Sequence, residues 1–565
     1  MKASRRRTPW LQAAAGIVCV GLVLVFEWTW TTRTAGPNLS GDDRAVARLM
    51  LAMADSIQHG SVYQPDRLST TPYPPFGLWV GALGALVDPA GAVQGMFHAQ
   101  VLFVGAMAAA MWMALRRSLG WPVAAAATLA VPVYAEWWQL RGQLFLEVQQ
   151  GCLLVAMAAA YAASEGLRAR LPSLLVGGFF GLGLLTKFSF VFFAGVPLLA
   201  VLAVAAARMT TSRIAGLGVA AMVVAAGGGA TAAAAGRLSW VTAGLLAGSA
   251  CLVAVISARR WRAPDAGRLA VGIGLVLVAA VAVAGPWYGS HLGALRSFFT
   301  ANLSQEFDGQ VLPLSRVWWT YPAFLGRVAL DDVVSLLFAV GAVRVVTSSK
   351  HPAGRLALLM VLSGLVALTL QPYRTPRYAT PLAAPALLVA AYGLWLPRRA
   401  RAVVAVLIAA WCVRVGVTTL QGRDHRSDWW NTRHQLPPNN EGALAQLRTQ
   451  ALDPHLQLHS RLPPPREEQL PLGGLAGIVV GRTNARELRS VATLTAGREI
   501  PCEPLGLALV AAGANPYVSC THAGDAELVV TWATTEGPRA DLVALRGGNT
   551  WGLVPWVVPR LVVGE

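Results

Sequence analysis

Residues 168–213 read RAR, LPSLLVGGFFGLGLL, TK, FSFVFFAGVPLLAVLAVAAA, RMTTSR. Arginines stand at both ends, Arg168 and Arg170 before and Arg208 and Arg213 after. Between Arg170 and Arg208 the one charged residue is Lys187. The runs 172–186 and 188–207 are apolar stretches of the length that crosses a bilayer. Cationic loops stay on the cytoplasmic side, so this stretch goes out and comes back, with Lys187 at the outer turn. A chain built on such hairpins is a polytopic α-helical membrane protein.

The same rule extends both ways along the chain. Basic clusters at Arg5–Arg7, Arg116–Arg117, Arg259–Arg268, Arg344–Arg355 and Arg398–Arg401 mark further cytoplasmic loops. Spans paired between them fall near 10–28, 93–114, 119–135, 146–163, 172–186, 188–207, 214–235, 239–258, 269–286, 332–348, 356–371, 379–396 and 402–419. That makes about thirteen transmembrane helices. An odd number puts everything after residue 420 outside. Phe76–Val87 is apolar but too short for a full span. If it crossed, Arg116 and Arg117 would land outside, so it is expected to lie in the interface or to re-enter.

Composition agrees. Of 565 residues, 55% are apolar and 13% charged, against about 25% charged in a soluble domain. The net charge of +18 belongs to the flanks of spans, which removes the argument for nucleic acid as a partner. The N-terminal apolar run follows Arg5–Arg7 and ends in Glu27-Trp28-Thr29-Trp30 with no small-residue cleavage site, so an uncleaved first span is expected. Residues 1–420 form the membrane domain, with a long first outer loop at 29–92. Residues 421–565, rich in Pro, Gly and charge, form a small soluble domain expected to be α/β and extracytoplasmic. A short helix is expected at 441–452 and strands at 477–480 and 528–530. Cys502 and Cys520 in that domain are a candidate disulfide in an oxidising compartment. Arg and Ala richness points to a bacterial source, hence a cytoplasmic (inner) membrane location.

Chemistry concentrates on the outer side. The first loop opens a helix with Ser40-Gly41-Asp42-Asp43-Arg44, followed by apolar positions Val46, Leu49, Met50, Met53 and Ile57. Acids also favour a helix start for plain capping and dipole reasons. The loop ends in Thr71-Pro72-Tyr73-Pro74-Pro75-Phe76, whose prolines fix an extended approach to the next segment. The short loop after the third span carries Glu136 and Glu147. Arg374 and Arg377 lie outside, against the positive-inside bias, and head-group contacts would account for them as well as function would. His59 and His291 are further groups near the outer surface.

These features, in order, resemble the GT-C superfamily of membrane glycosyltransferases, in its protein O-mannosyltransferase and lipid A aminoarabinose transferase-like branch. The resemblance rests on the acidic pair Asp42-Asp43, the Tyr73-Pro74-Pro75 segment, Gly178 to Leu185-Thr186-Lys187, Gly285-Pro286-Trp287-Tyr288, and Arg377-Tyr378 followed by Pro381 and Pro385. It covers residues 10–420. It implies a sugar donor on a polyprenyl phosphate and an acceptor that is a lipid, glycan or protein, with inversion at the anomeric carbon. By the same resemblance Asp42 is the general base and Asp43 stands where the family has Glu. Glu147 stands near the position of a family Asp, as a further catalytic acid. Lys187, Arg374 and Arg377 would hold the donor phosphate, where fixed cations suit a departing anion. No cofactor is implied; the acids leave Mg²⁺ or Mn²⁺ open through oxygen ligands. The alternative reading is a multi-spanning transporter or lipid flippase, which predicts inverted repeats and broken midplane helices.

Overall fold

The computed structural model describes residues 8–33, 41–60, 73–88, 92–133, 146–207, 266–304, 321–322, 325, 331–348, 350–370, 376–394 and 396–420, with six short strands between Ser490 and Gly564. The helices are α1 (Thr8–Arg33), α2 (Gly41–Gln58), α3 (Pro75–Val87), α4 (Ala92–Arg116), α5 (Trp121–Ala130), α6 (Glu147–Ala163), α7 (Arg170–Leu184), α8 (Val196–Ala207), α9 (Ala266–Ser304), α10 (Asp331–Thr347), α11 (Pro352–Leu370), α12 (Ala383–Tyr392) and α13 (Arg398–Leu420). A π turn spans Val191–Gly195 and a 3₁₀ segment spans Pro376–Leu382. Helices stand at eleven of the thirteen expected spans; 214–235 and 239–258 lie outside the described residues. Among the described residues, four helices are by themselves long and apolar enough to cross: Trp10–Thr29, Gln94–Arg116, Ala266–His291 and Pro352–Thr369. Helices suit such a sequence because each satisfies its backbone internally, which lipid demands. Their outward faces carry exposed Ile17, Val281, Val343, Val366 and Leu407, as lipid contact allows.

Packing fixes relative directions. The Gln94 amide donates to the Thr31 carbonyl, Gly105 faces Leu24, and Gly16 faces Trp112. α1 and α4 are therefore antiparallel, which puts Arg116 at the same level as the start of α1. Gly272 meets Leu167, Gly177 meets Val276, and Gly181 meets Val283, so α7 and α9 run parallel. Arg168, Arg170 and Arg268 then share one side, as the charge pattern requires. A Cβ on Gly177 or Gly272 would strike a neighbour's carbonyl, and this small-residue contact lets two helices approach without a hydrophobic drive.

Two of the described helices, α2 and α3, fall within the segment 29–92. α3, at about 20 Å, is too short to cross. It packs antiparallel on the outer half of α4, with Gly84 against Gly95 and Phe76 edge-on to Phe103 at 5.9 Å. From Gly95 to Phe103 is about 12 Å of helix rise, so α3 runs from a deeper level of α4 at Phe76 to its start at Gly84 without crossing, as the parity argument expects. α2 covers it with the apolar face read from the sequence. Val46, Leu49, Met50 and Met53 are buried with Leu78, Ala82, Met96 and Phe97.

One expectation is corrected. Sequence placed the end of the ninth span at Pro286, with a loop from 287. The helix instead runs through Pro286 to Ser304. Pro removes one donor and its ring crowds the preceding turn, but membrane helices tolerate this through local adjustment of the turn. At about 58 Å, α9 is nearly twice the thickness of a hydrocarbon core of about 30 Å.

In the C-terminal region, β1 (Ser490–Leu494), β2 (Tyr517–Ser519), β3 (Leu528–Trp532), β4 (Leu542–Gly547), β5 (Thr550–Pro555) and β6 (Leu561–Gly564) form one sheet. β1 is parallel to β2 and β3, and β4–β5 is an antiparallel hairpin closing at Gly547 and Thr550. The expected strand at 528–530 is β3. The expected helix at 441–452, the strand at 477–480, Cys502 and Cys520 lie outside the described residues.

Candidate functional site

α7 ends at Leu184, and the chain does not continue as one helix. The Leu185, Thr186 and Lys187 amides bond back to the Gly181 and Gly183 carbonyls, and the π turn begins four residues after Lys187. A helix end leaves carbonyls without intrahelical donors, and other motifs supply them here. The Tyr288 hydroxyl donates to the Leu184 carbonyl at 3.0 Å. The Phe76 N–H, near the start of α3, donates to the Leu185 carbonyl at 2.9 Å. Pro75 at the start of α3 brings no donor, so Phe76 offers a free N–H of that helix start to a free carbonyl of α7. Beyond the break, Ser363 of α11 donates to the Phe193 carbonyl at 3.1 Å within the π turn.

This break presents Lys187. Its Nζ lies 2.6 Å from Glu147 Oε1, with the Glu147 side chain 1% exposed and that of Lys187 22% exposed. Glu147 is the first residue of α6, where the positive end of the helix dipole favours a carboxylate. The ammonium also sits 5.0 Å from the centre of the Tyr378 ring, a cation–π contact. Behind the pair, Gln150 Nε2 donates to Ser189 Oγ at 3.0 Å, and Gln149 lies against Gly77. Phe188, next to Lys187, packs on Trp287 at 6.0 Å, and His291 stacks on Trp287 at 4.6 Å. The four sequence motifs around Pro75, Lys187, Tyr288 and Tyr378 thus meet in one place.

The place is on the side of the bundle away from Arg168, Arg170 and Arg268, where Arg296 of α9 and Arg377 of the 3₁₀ segment also stand. α7 and α9 run to it from Arg170 and Arg268, and α6 and the 3₁₀ segment meet it with the ends remote from Arg168 and Arg398. The pair is costly to bury, and ionisable groups at such depth mark function more often than stability.

The remaining site expectations fall as follows. Asp42 and Asp43 lie in the first turn of α2; their side chains lie outside the described residues. Arg377 is in the 3₁₀ segment that packs on α6, with its side chain also outside them. Arg374 and Glu136 lie wholly outside them. His59 ends α2 beside Asp55, exposed. Sequence treated Glu147 and Lys187 as separate groups, and the structure joins them. It adds Tyr378, Gln149, Gln150 and Ser189, which sequence reasoning assigned no role. Two glutamines following Glu147 in an otherwise apolar helix were the available signal. Among the described residues no group of His, Cys, Asp and Glu is arranged to hold a metal.

Among solved structures, ArnT from Cupriavidus metallidurans in the apo state superposes with a TM-score of 0.52 at 15% identity, over 98% of this chain and 98% of that one. The chain shares the fold of ArnT. ArnT bound to undecaprenyl phosphate gives a TM-score of 0.49 at 14% identity, over 97% of each chain. An Archaeoglobus fulgidus oligosaccharyltransferase tethered to an acceptor peptide gives 0.42 at 14% identity, over 90% of this chain and 64% of that one. No family model matches the chain, and no curated protein matches its sequence.

The described site offers a fixed positive charge, held on one side by a buried carboxylate and on another by an aromatic face, with part of its surface open. Such a group can pair with an anion. Glu147, buried and already bonded, is placed to aim the ammonium.

Proposed function

We propose that this protein is a glycosyltransferase that takes a sugar from a polyprenyl-phosphate carrier and delivers it, with inversion, to an acceptor on the extracytoplasmic face. The observation that carries the reading is the Lys187–Glu147 pair, set under Tyr378 where four separated motifs converge. The fold shared with ArnT supports the reaction class, and the sequence resemblance supports the type of donor. Lys187 holds the phosphate that becomes the leaving group, Glu147 orients Lys187, and Arg374 and Arg377 add charge from the segment that bears Tyr378.

The reaction needs one more group. As the acceptor oxygen bonds the anomeric carbon, the bond to the phosphate oxygen breaks and the acceptor proton must leave. Asp42 takes that proton, as a carboxylate base at an aqueous edge can, with Asp43 beside it. The acceptor is a lipid, glycan or protein reached from outside, and residues 421–565 serve on that face. The protein works in a bacterial inner membrane.

The test is transfer from a labelled polyprenyl-phosphate sugar by the full chain in vesicles. Lys187→Met abolishes transfer and donor binding together, whereas Asp42→Asn abolishes transfer and leaves donor binding in place. Full activity in both variants overturns the reading.

A further inference from the structure

A second charged cluster lies at the opposite ends of the helices and takes no part in the proposed reaction. Arg344, near the end of α10, donates from Nη1 to the Tyr392 carbonyl at 3.0 Å. Arg355, in the first turn of α11, donates from Nε to the Val345 carbonyl at 3.1 Å. Tyr392 ends α12, and its hydroxyl lies 3.2 Å from Ser118 Oγ after α4. His351 precedes α11 and packs its ring on Tyr392 at 4.7 Å. Arg401 on α13 lies close enough to Arg344 for their charges to interact, and Lys350 and Arg355 act likewise on His351.

Chain segments far apart in sequence therefore bring three permanent cations around one histidine, with Arg401 a fourth beside Arg344. The two inner arginines spend donors on carbonyls at the ends of α10 and α12, which fixes their planar forks. Arg401 is partly exposed and Lys350 exposed. His351 is 7% exposed, and its Nδ1 has no hydrogen-bond partner among the described residues. A buried ring nitrogen left so is costly, and crowding like charges adds to the cost. An anion with several acceptor oxygens relieves both. Planar guanidinium forks suit phosphate. The helix termini and the positive-inside pattern put the cluster at the inner-leaflet surface, where anionic head groups are the abundant phosphates.

We propose that Arg344, Lys350, His351, Arg355 and Arg401 form a binding site for the phosphate of an anionic inner-leaflet phospholipid. The site ties the α10–α11 turn to the start of α13. It is independent of the sugar-transfer reading and stands if that reading fails.

The test uses the full chain in nanodiscs of phosphatidylcholine doped with phosphatidylglycerol, with bound lipid counted by native mass spectrometry. Lys350→Gln/Arg401→Gln leaves the backbone bonds of Arg344 and Arg355 in place, so folding is preserved. Each lost charge weakens retention of phosphatidylglycerol by about fivefold. Arg168→Gln, a partly exposed cation in another cytoplasmic loop, changes it by less than about twofold. Equal, small effects from both variants overturn the proposal, since diffuse charge then accounts for the binding. Displacement of phosphatidylglycerol by millimolar inorganic phosphate, with no dependence on the lipid, assigns the site to a soluble anion and overturns the lipid assignment.

Discussion

Removing one partner of the Lys187–Glu147 pair should cost very different amounts depending on which is removed. At 2.6 Å the Coulomb attraction is about 6 kcal/mol at an effective dielectric of about 20, before desolvation is counted. Lys187→Met leaves a carboxylate that is 1% exposed without its counter-charge, and stranding a buried charge costs about 3–5 kcal/mol. Glu147→Gln leaves an ammonium that is 22% exposed and still faces Tyr378. It loses one charge-assisted hydrogen bond, worth about 1.5–3 kcal/mol. The double variant removes both charges and recovers much of the Lys187→Met loss, with a coupling of about 2 kcal/mol, inside the range for residues in contact. The assay is denaturant or thermal unfolding of the full chain in detergent, for the wild type and the three variants. Additive losses within about 0.5 kcal/mol, or Glu147→Gln costing more than Lys187→Met, refute the reasoning.

Other outcomes follow from the same geometry. Asp42→Asn should lower transfer by about 100-fold or more, the usual scale for losing a general base, with an unfolding curve unchanged from wild type. Gly84→Leu should cost about 1–3 kcal/mol by overpacking, because its side chain would run into the Gly95 carbonyl; thermal unfolding in detergent reads this directly. His351 is held below its ordinary value of 6.5 by burial first, then by Arg344, Arg355 and Lys350. In the unfolded chain it takes up a proton near pH 6.5 and in the folded protein only lower, so stability is intact above 6.5 and declines as pH falls below it. His351→Gln should flatten that part of the stability profile, measured by unfolding midpoints between pH 7 and 5.

Sequence carried the helical framework well because bilayer length and cationic flanks are local signals. The hairpin at 168–213 could be read from one apolar stretch and its ends. Even the short α3 was legible, because letting Phe76–Val87 cross would have stranded Arg116 and Arg117 on the wrong side. The run of α9 through Pro286 was not legible, since a proline can end a helix or be accommodated within it by local adjustment, and spacing does not say which. The site divided in the same way. Lys187 stood out as a lone charge between apolar runs. Its partner did not, because a contact across 40 positions leaves no trace in spacing. Tyr378 was visible in a motif but silent about its role, which depends on where its ring lies relative to an ammonium.

The central claim is that Lys187 grips the donor's phosphate at the outer ends of the helices. Binding of a polyprenyl phosphate to the full chain in nanodiscs, wild type against Lys187→Arg and Lys187→Met, measures it. The account predicts tight binding in wild type, partial retention with Arg and loss with Met, the folded fraction being matched by unfolding curves. Undiminished binding in a folded Lys187→Met protein would contradict it.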